Sequence, residues 1–218
     1  MNPSDPNPPD PADLASFAGV DGEPPVPVTV WHVTDLRRRG ETRSGDEFSP
    51  ALAGLLVALY TRPGDTVVAL GHDPALAGAA GAQGCTYVAV DDPADLADLD
   101  AVAGTVRLIV VPPRTTHRIR HNTAAAVDLF TACRTLTVPA GCTIVALATL
   151  PTGATAYTDL TPLLIPAARQ AGLEWLRHIV AVTGALTDTP ESTCTPAEAG
   201  VSIHVDLLVL SVRQDTHG

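Results

Sequence analysis

The chain has 218 residues, is 45% hydrophobic but only 4% aromatic, and carries a formal net charge of -11. That length suits one core and a tail, and the core must be assembled from Val, Leu, Ile and Ala. Lysine is absent, and the acidic balance weighs against broad, unassisted contact with nucleic-acid phosphates while leaving room for a local basic patch.

Residues 1–27 are rich in Pro and Asp with little that could pack, so they read as a disordered or extended leader preceding an α/β domain over 28–218. They contain no basic stretch followed by an apolar one, so no secretory signal is expected and the cytoplasm is the expected compartment. Val28–Val33 predicts a first strand, and Asp35–Asp46 a charged link containing Arg37, Arg38 and Arg39. Ser49-Pro50 opens a helix, with Ser as N-cap and Pro at the first helical position; Leu52, Leu55, Leu56 and Leu59 are its expected apolar face. Arg62-Pro63-Gly64-Asp65 turns the chain into a strand over Thr66–Leu70.

Strands and helices then alternate. Asp73-Pro74 caps a helix through Ala80, Thr86–Val90 is a strand, and Asp92-Pro93 starts a short helix. Arg107–Val111 is a strand, Pro112-Pro113 a rigid loop lip, Thr123–Leu136 a helix and Cys142–Leu147 a strand. Thr161-Pro162 opens a helix ending near Gly172, Trp175–Val182 is a strand, Thr183–Gly200 a polar loop, and Ser202–Val212 the last strand. The apolar runs Val67–Leu70 and Leu108–Val111 are what burial on both faces requires, as in a parallel sheet with helices on either side. The last two strands follow each other without a helix, so one of them is expected to be antiparallel. The fold class predicted is Rossmann-like α/β.

Cys85, Cys133, Cys142 and Cys194 form no CxxC pair, so zinc-ribbon spacing is missing. Cys85 and Cys142 flank strands and are expected to pack as small apolar residues. No metal site is expected; His178 and His204 sit in predicted strands as packed or surface residues.

In an open parallel sheet, ligands bind beyond the carboxyl ends of the strands. Gly71-His72-Asp73-Pro74 follows one central strand, a tight turn at a helix start that suits an anion or nucleotide. Asp91 and Asp92 follow the next strand, where a carboxylate can accept from ribose hydroxyls or simply cap the helix at Pro93. Val111-Pro112-Pro113-Arg114 follows the third. Arg114, His117, Arg118, Arg120 and His121 then form a local basic cluster; a charge run of this kind favours a solvated helix start, and the alternative is a contact for phosphate or an acidic partner, that is, a nucleic acid or protein.

In order and spacing, these pieces resemble the S-adenosylmethionine-dependent DNA methylases that act on adenine N6 or cytosine N4. Phe48-Ser49-Pro50 matches the family's Phe-x-Pro helix start, Pro63-Gly64-Asp65-Thr66-Val67 its turn into the first strand, and Asp91 its acid after the second strand. The resemblance implies a methyltransferase fold, S-adenosylmethionine as cofactor, Phe48, Pro50, Ala69, Gly71, Asp73 and Asp91 at the cofactor, and Val111, Pro112, Pro113 and Arg114 at the catalytic loop. The departures lie at those positions. The family's leading acid is Ala69, its two loop glycines are Asp73 and Ala75, its polar acceptor is Val111, and its base-stacking aromatic is Arg114. A valine accepts no hydrogen bond, and arginine repels a cationic sulfonium even though it can stack on a base. The departures favour a non-catalytic scaffold or regulatory subunit; an atypical active methyltransferase and another nucleotide-binding enzyme, with Arg114 and Arg118 clamping a phosphate, remain the alternatives.

Overall fold

The computed structural model describes residues 26–35, 48–148, 156–185 and 203–212. Most of the expected leader, most of the arginine-containing link, the polar loop from 186 onward and Cys194 lie outside the described residues. The elements are β1 (Val28–Asp35), α1 (Pro50–Tyr60), β2 (Thr66–Leu70), α2 (Pro74–Gln83), β3 (Thr86–Val90), 3-10 turns over Pro93–Asp98 and Asp100–Val102, β4 (Val106–Val111), α3 (Pro113–Ile119), α4 (Thr123–Leu136), β5 (Thr137–Ala148), α5 (Ala156–Gln170), β6 (Leu173–Ala185) and β7 (Ile203–Val212).

The seven strands make one sheet in the order β1-β6-β7-β5-β4-β2-β3. Every pairing is parallel except those of β7, which runs antiparallel between β5 and β6. This is the mostly parallel, Rossmann-like sheet with a reversed strand near the C-terminus that the element pattern predicts. The alternation of side chains along each strand divides the core in two. Val67, Ala69, Leu108, Val110, Ile144 and Leu207 pack with Leu52, Leu56 and Leu76 of α1 and α2. Val68, Leu70, Ile109, Val111, Val145 and Leu208 pack on the opposite face with Leu129, Phe130, Leu164 and Ile165 of α4 and α5.

The cap signals work as the sequence predicts. Ser49 Oγ accepts the Leu52 amide at 3.0 Å. Asp65 closes the Pro-Gly turn by accepting the Arg62 amide at 2.7 Å. Three expectations change. In α1 the buried face is Leu52, Ala53, Leu56 and Val57, whereas Leu55 and Leu59 are 38% and 62% exposed. Pro113 begins the helix α3 rather than a rigid loop, because a proline at the first helical position forfeits no helical hydrogen bond. And α5 starts at Ala156, with Pro162 and Pro166 inside it. Both prolines are exposed and four residues apart on one face, where the carbonyls they leave without a helical donor can turn to water.

Candidate functional site

From β2 the chain goes to β3 on one side, then crosses back to β4 on the other. That reversal opens a crevice beyond the carboxyl ends of β2 and β4, the position at which open α/β sheets bind ligands. Gly71 immediately follows β2. Its φ is +92°, a conformation that L side chains rarely adopt, and its amide donates to the Val90 carbonyl at 2.6 Å, tying the loop to the end of β3.

The second reason for glycine at this position is Arg114. A Cβ on Gly71 would lie 1.6 Å from Arg114 Nη2 and 2.5 Å from Cζ. Nη2 also donates to the His72 carbonyl at 3.4 Å. The arginine that starts beyond β4 therefore crosses the crevice and lays its guanidinium on the loop beyond β2.

Asp73 is buried, and both its oxygens are engaged. Oδ1 accepts the Leu76 amide at 2.9 Å and caps α2, while Oδ2 accepts the Phe48 amide at 3.0 Å, just before α1. Its own amide donates to the Tyr87 hydroxyl at 3.1 Å. One residue thus fastens α1, α2 and β3 together. Burial pushes the Tyr87 phenol above its ordinary range, and its ring meets His72 edge-on at 6.2 Å. Sequence reasoning missed Tyr87; its place on a strand edge near the Gly71 loop follows from β2–β3 pairing, not from any local motif.

The other expected site residues separate. Phe48 is buried and Pro50 exposed, and with Gly54, Asp73, Pro74 and Gly78 they line a shallow cavity of about 470 Å³ between α1 and α2. Ala69 and Val111 are buried within β2 and β4 and point to opposite halves of the core, so neither presents its side chain to the crevice. Pro112 and Pro113 are buried as well, and the Pro112 carbonyl accepts the Thr115 amide at 3.0 Å in the first turn of α3. Asp91 is exposed at the end of β3. Asp92 caps the following turn through the Ala94 amide at 3.0 Å and pairs with Arg118 at 3.5 Å. Of the basic cluster, Arg114 is turned inward, Arg118 is paired, His117 is half-buried, and Arg120 and His121 are exposed.

A second polar group lies under α5. His178 Nε2 and Asp206 Oδ1 are 2.7 Å apart with both side chains buried, and His204 Nε2 is 3.7 Å from the other carboxylate oxygen. The Tyr157 ring stacks on His178 at 4.4 Å and 8°. This gives His178 a packing role, joining β6, β7 and α5. Among the described residues, no three His, Cys, Asp or Glu groups converge as a metal site, and no helix is long and apolar enough to cross a membrane.

No family model and no curated protein matches the chain. Among solved structures, it is similar to geranyl diphosphate C-methyltransferase from Streptomyces coelicolor, solved with Mg2+, geranyl diphosphate and S-adenosyl-L-homocysteine (13% identity, 76% of this chain and 78% of that one, TM-score 0.47). It is also similar to a 16S rRNA (adenine(1408)-N(1))-methyltransferase from Catenulisporales acidiphilia with its cosubstrate (15% identity, 78% and 94% covered, TM-score 0.44). A third is a TehB-like SAM-dependent methyltransferase from Corynebacterium glutamicum (12% identity, 80% and 90% covered, TM-score 0.42). At these identities and scores they lend this chain neither a residue role nor an activity.

Proposed function

We propose that this chain is a methyltransferase-like protein that has lost catalysis and serves as a scaffold or regulatory subunit. The observation that carries this reading is the Arg114 guanidinium lying on Gly71 across the crevice. A cofactor carrying a sulfonium would meet a fixed positive charge there, and like charges repel most where water is displaced. Asp73, at the position of a family glycine, commits both carboxylate oxygens to backbone amides, so it offers none to a ligand. The residues around the crevice therefore do not fit S-adenosylmethionine, apart from Asp91, which remains exposed where a ribose acceptor belongs. A crevice spanned by the chain's own guanidinium keeps the fold and disfavours ligand entry, most of all for a cation. Arg120 and His121, exposed beside it, are the positions at which a nucleic acid or protein partner would be met.

A second reading, an atypical active methyltransferase, is favoured by Asp91 and by the retained Pro112-Pro113 pair. Calorimetric titration with S-adenosylmethionine separates the two. No saturable heat in the micromolar range is expected. A micromolar dissociation constant, abolished by Asp91→Ala, would overturn the scaffold reading in favour of the enzyme.

A further inference from the structure

Arg114 carries more donors than the fold uses. Acids are plentiful in this chain, 24 against 13 basic side chains. Arg107 and Arg118 each lie against one, Asp65 at 4.0 Å and Asp92 at 3.5 Å. Among the described residues, no carboxylate comes within ion-pair distance of Arg114. Its hydrogen bond goes to a neutral group, the His72 carbonyl, at 3.4 Å. Asp73, the next residue, has both oxygens on backbone amides. A guanidinium offers five N–H donors in a planar fork. This one is half-buried, with most of that fork unanswered, at the end of the sheet where ligands bind.

The fork is also held in place. The His72 carbonyl and the Asp73 N–H belong to one peptide, and in a trans peptide they point in opposite directions. The Asp73 N–H donates to the Tyr87 hydroxyl at 3.1 Å, so the peptide on which Arg114 rests is fixed from its far side by β3. Gly71, having no side chain, lets the guanidinium lie against the loop. An acceptor stands beside the same loop. The Gly71 N–H donates to the Val90 carbonyl at 2.6 Å, and Asp91 is the next residue. Asp92 caps a turn and meets Arg118. Asp91 is exposed and does neither among the described residues.

We propose that this crevice binds a nucleoside 5′-phosphate, with Arg114 on the phosphate and Asp91 on the ribose hydroxyls. The inference rests on the reading above, in which S-adenosylmethionine is not the ligand. Both compounds are nucleosides substituted at the 5′ carbon. One carries a cationic sulfonium there, the other an anionic phosphate. A ribose acceptor beside a fixed guanidinium repels the first and suits the second. The planar fork matches phosphate geometry and can engage two of its oxygens at once. These residues supply binding and no turnover, so the nucleotide acts as a regulatory ligand of the scaffold.

Calorimetric titration of the full chain with AMP, adenosine, inorganic phosphate and S-adenosylmethionine tests this. AMP is expected to bind about tenfold to a hundredfold more tightly than adenosine, the contribution of a charge-assisted contact. Inorganic phosphate, lacking the ribose, is expected to bind more weakly than AMP. Arg114→Ala is expected to bring AMP down to the level of adenosine and to leave adenosine unchanged. Should that variant fail to fold, Arg114→Gln, which keeps an N–H donor without the charge, is expected to do the same. Asp91→Ala is expected to weaken AMP and adenosine by the same factor. AMP binding no tighter than adenosine, or indifferent to the Arg114 variant that folds, overturns the proposal. Inorganic phosphate binding as tightly as AMP also overturns it, since the ribose then contributes nothing. Micromolar binding of S-adenosylmethionine overturns the proposed function whatever AMP does, whereas silence toward both compounds overturns this inference alone.

Discussion

Gly71→Ala puts the central contact of the crevice to the test. Two costs are expected. Holding an L-residue at φ near +92° costs about 1–2 kcal/mol. The new methyl carbon would also fall on Arg114 Nη2, 1.6 Å away. Because the atoms it meets are the tip of a long side chain, the arginine swings aside, forfeiting its 3.4 Å bond to the His72 carbonyl and its packing on the loop, about 0.5–1 kcal/mol more. The sum is about 2 kcal/mol, or roughly 4–8 °C in Tm for a domain of this size. Urea unfolding of the wild type, Gly71→Ala, Arg114→Ala and the double variant closes a thermodynamic cycle. With Arg114 truncated, Gly71→Ala should carry the backbone cost alone, leaving a coupling of about 0.5–1 kcal/mol between positions 43 residues apart in sequence. Strict additivity would refute the placement of the guanidinium on Gly71, and with it the observation on which the proposed function rests.

Asp73→Ala removes the cap of α2 and strands the buried Phe48 amide, and should cost about 2–4 kcal/mol in chemical unfolding; a loss under about 0.5 kcal/mol would contradict the latch. His178→Ala removes the close hydrogen-bond partner of the buried Asp206 carboxylate, for about 1.5–3 kcal/mol. The His178→Leu/Asp206→Leu double variant, measured by the same unfolding assay, should be less damaged than either single change. Burial pushes the Cys133 and Cys142 thiols from an ordinary 9.0 up to about 12. The folded state therefore holds more protons than the unfolded chain between those values, so their contribution is complete below about pH 9 and is lost as pH rises toward 12. At pH 8 neither thiol should react with an alkylating reagent until the protein unfolds, and mass spectrometry of labelled peptides checks this.

The sheet was legible because the runs around Val68 and Ile109 carry their two-sided burial in composition alone. Helix starts at Pro50 and Pro74 were legible because the acceptor before each proline lies next to it in sequence. Where proline had two meanings, the reading went astray. Pro113 looked like a loop stiffener beside Pro112, and Pro162 like a helix start after Thr161, although it sits inside a helix whose buried face runs through Leu160, Leu164 and Ala168. In α1 the buried stripe turns from Leu52 and Leu56 toward Ala53 and Val57, whereas Leu55 and Leu59 lie on the other side of Leu52, so hydrophobicity alone points to the wrong flank. At the site, the sequence identified the departures from a family pattern but not what replaces them. The Arg114–Gly71 contact and the Asp73 bond to Phe48 both span loops whose approach is set by strand order, and the His178–Asp206 pair depends on the reversed direction of β7. None of these has a local signature.

A guanidinium bridging a crevice also acts as a charge filter. Lifting Arg114 from the His72 carbonyl costs on the order of 1 kcal/mol, so the crevice would be open in roughly one molecule in six, and a neutral ligand would bind about sixfold more weakly than to a vacant site. A cation would meet the same opening cost plus repulsion. An anion would instead draw the guanidinium to itself, turning the obstruction into a contact. The same side chain, without altering the fold around it, thus ranks whatever approaches the ends of β2 and β4 by the sign of its charge.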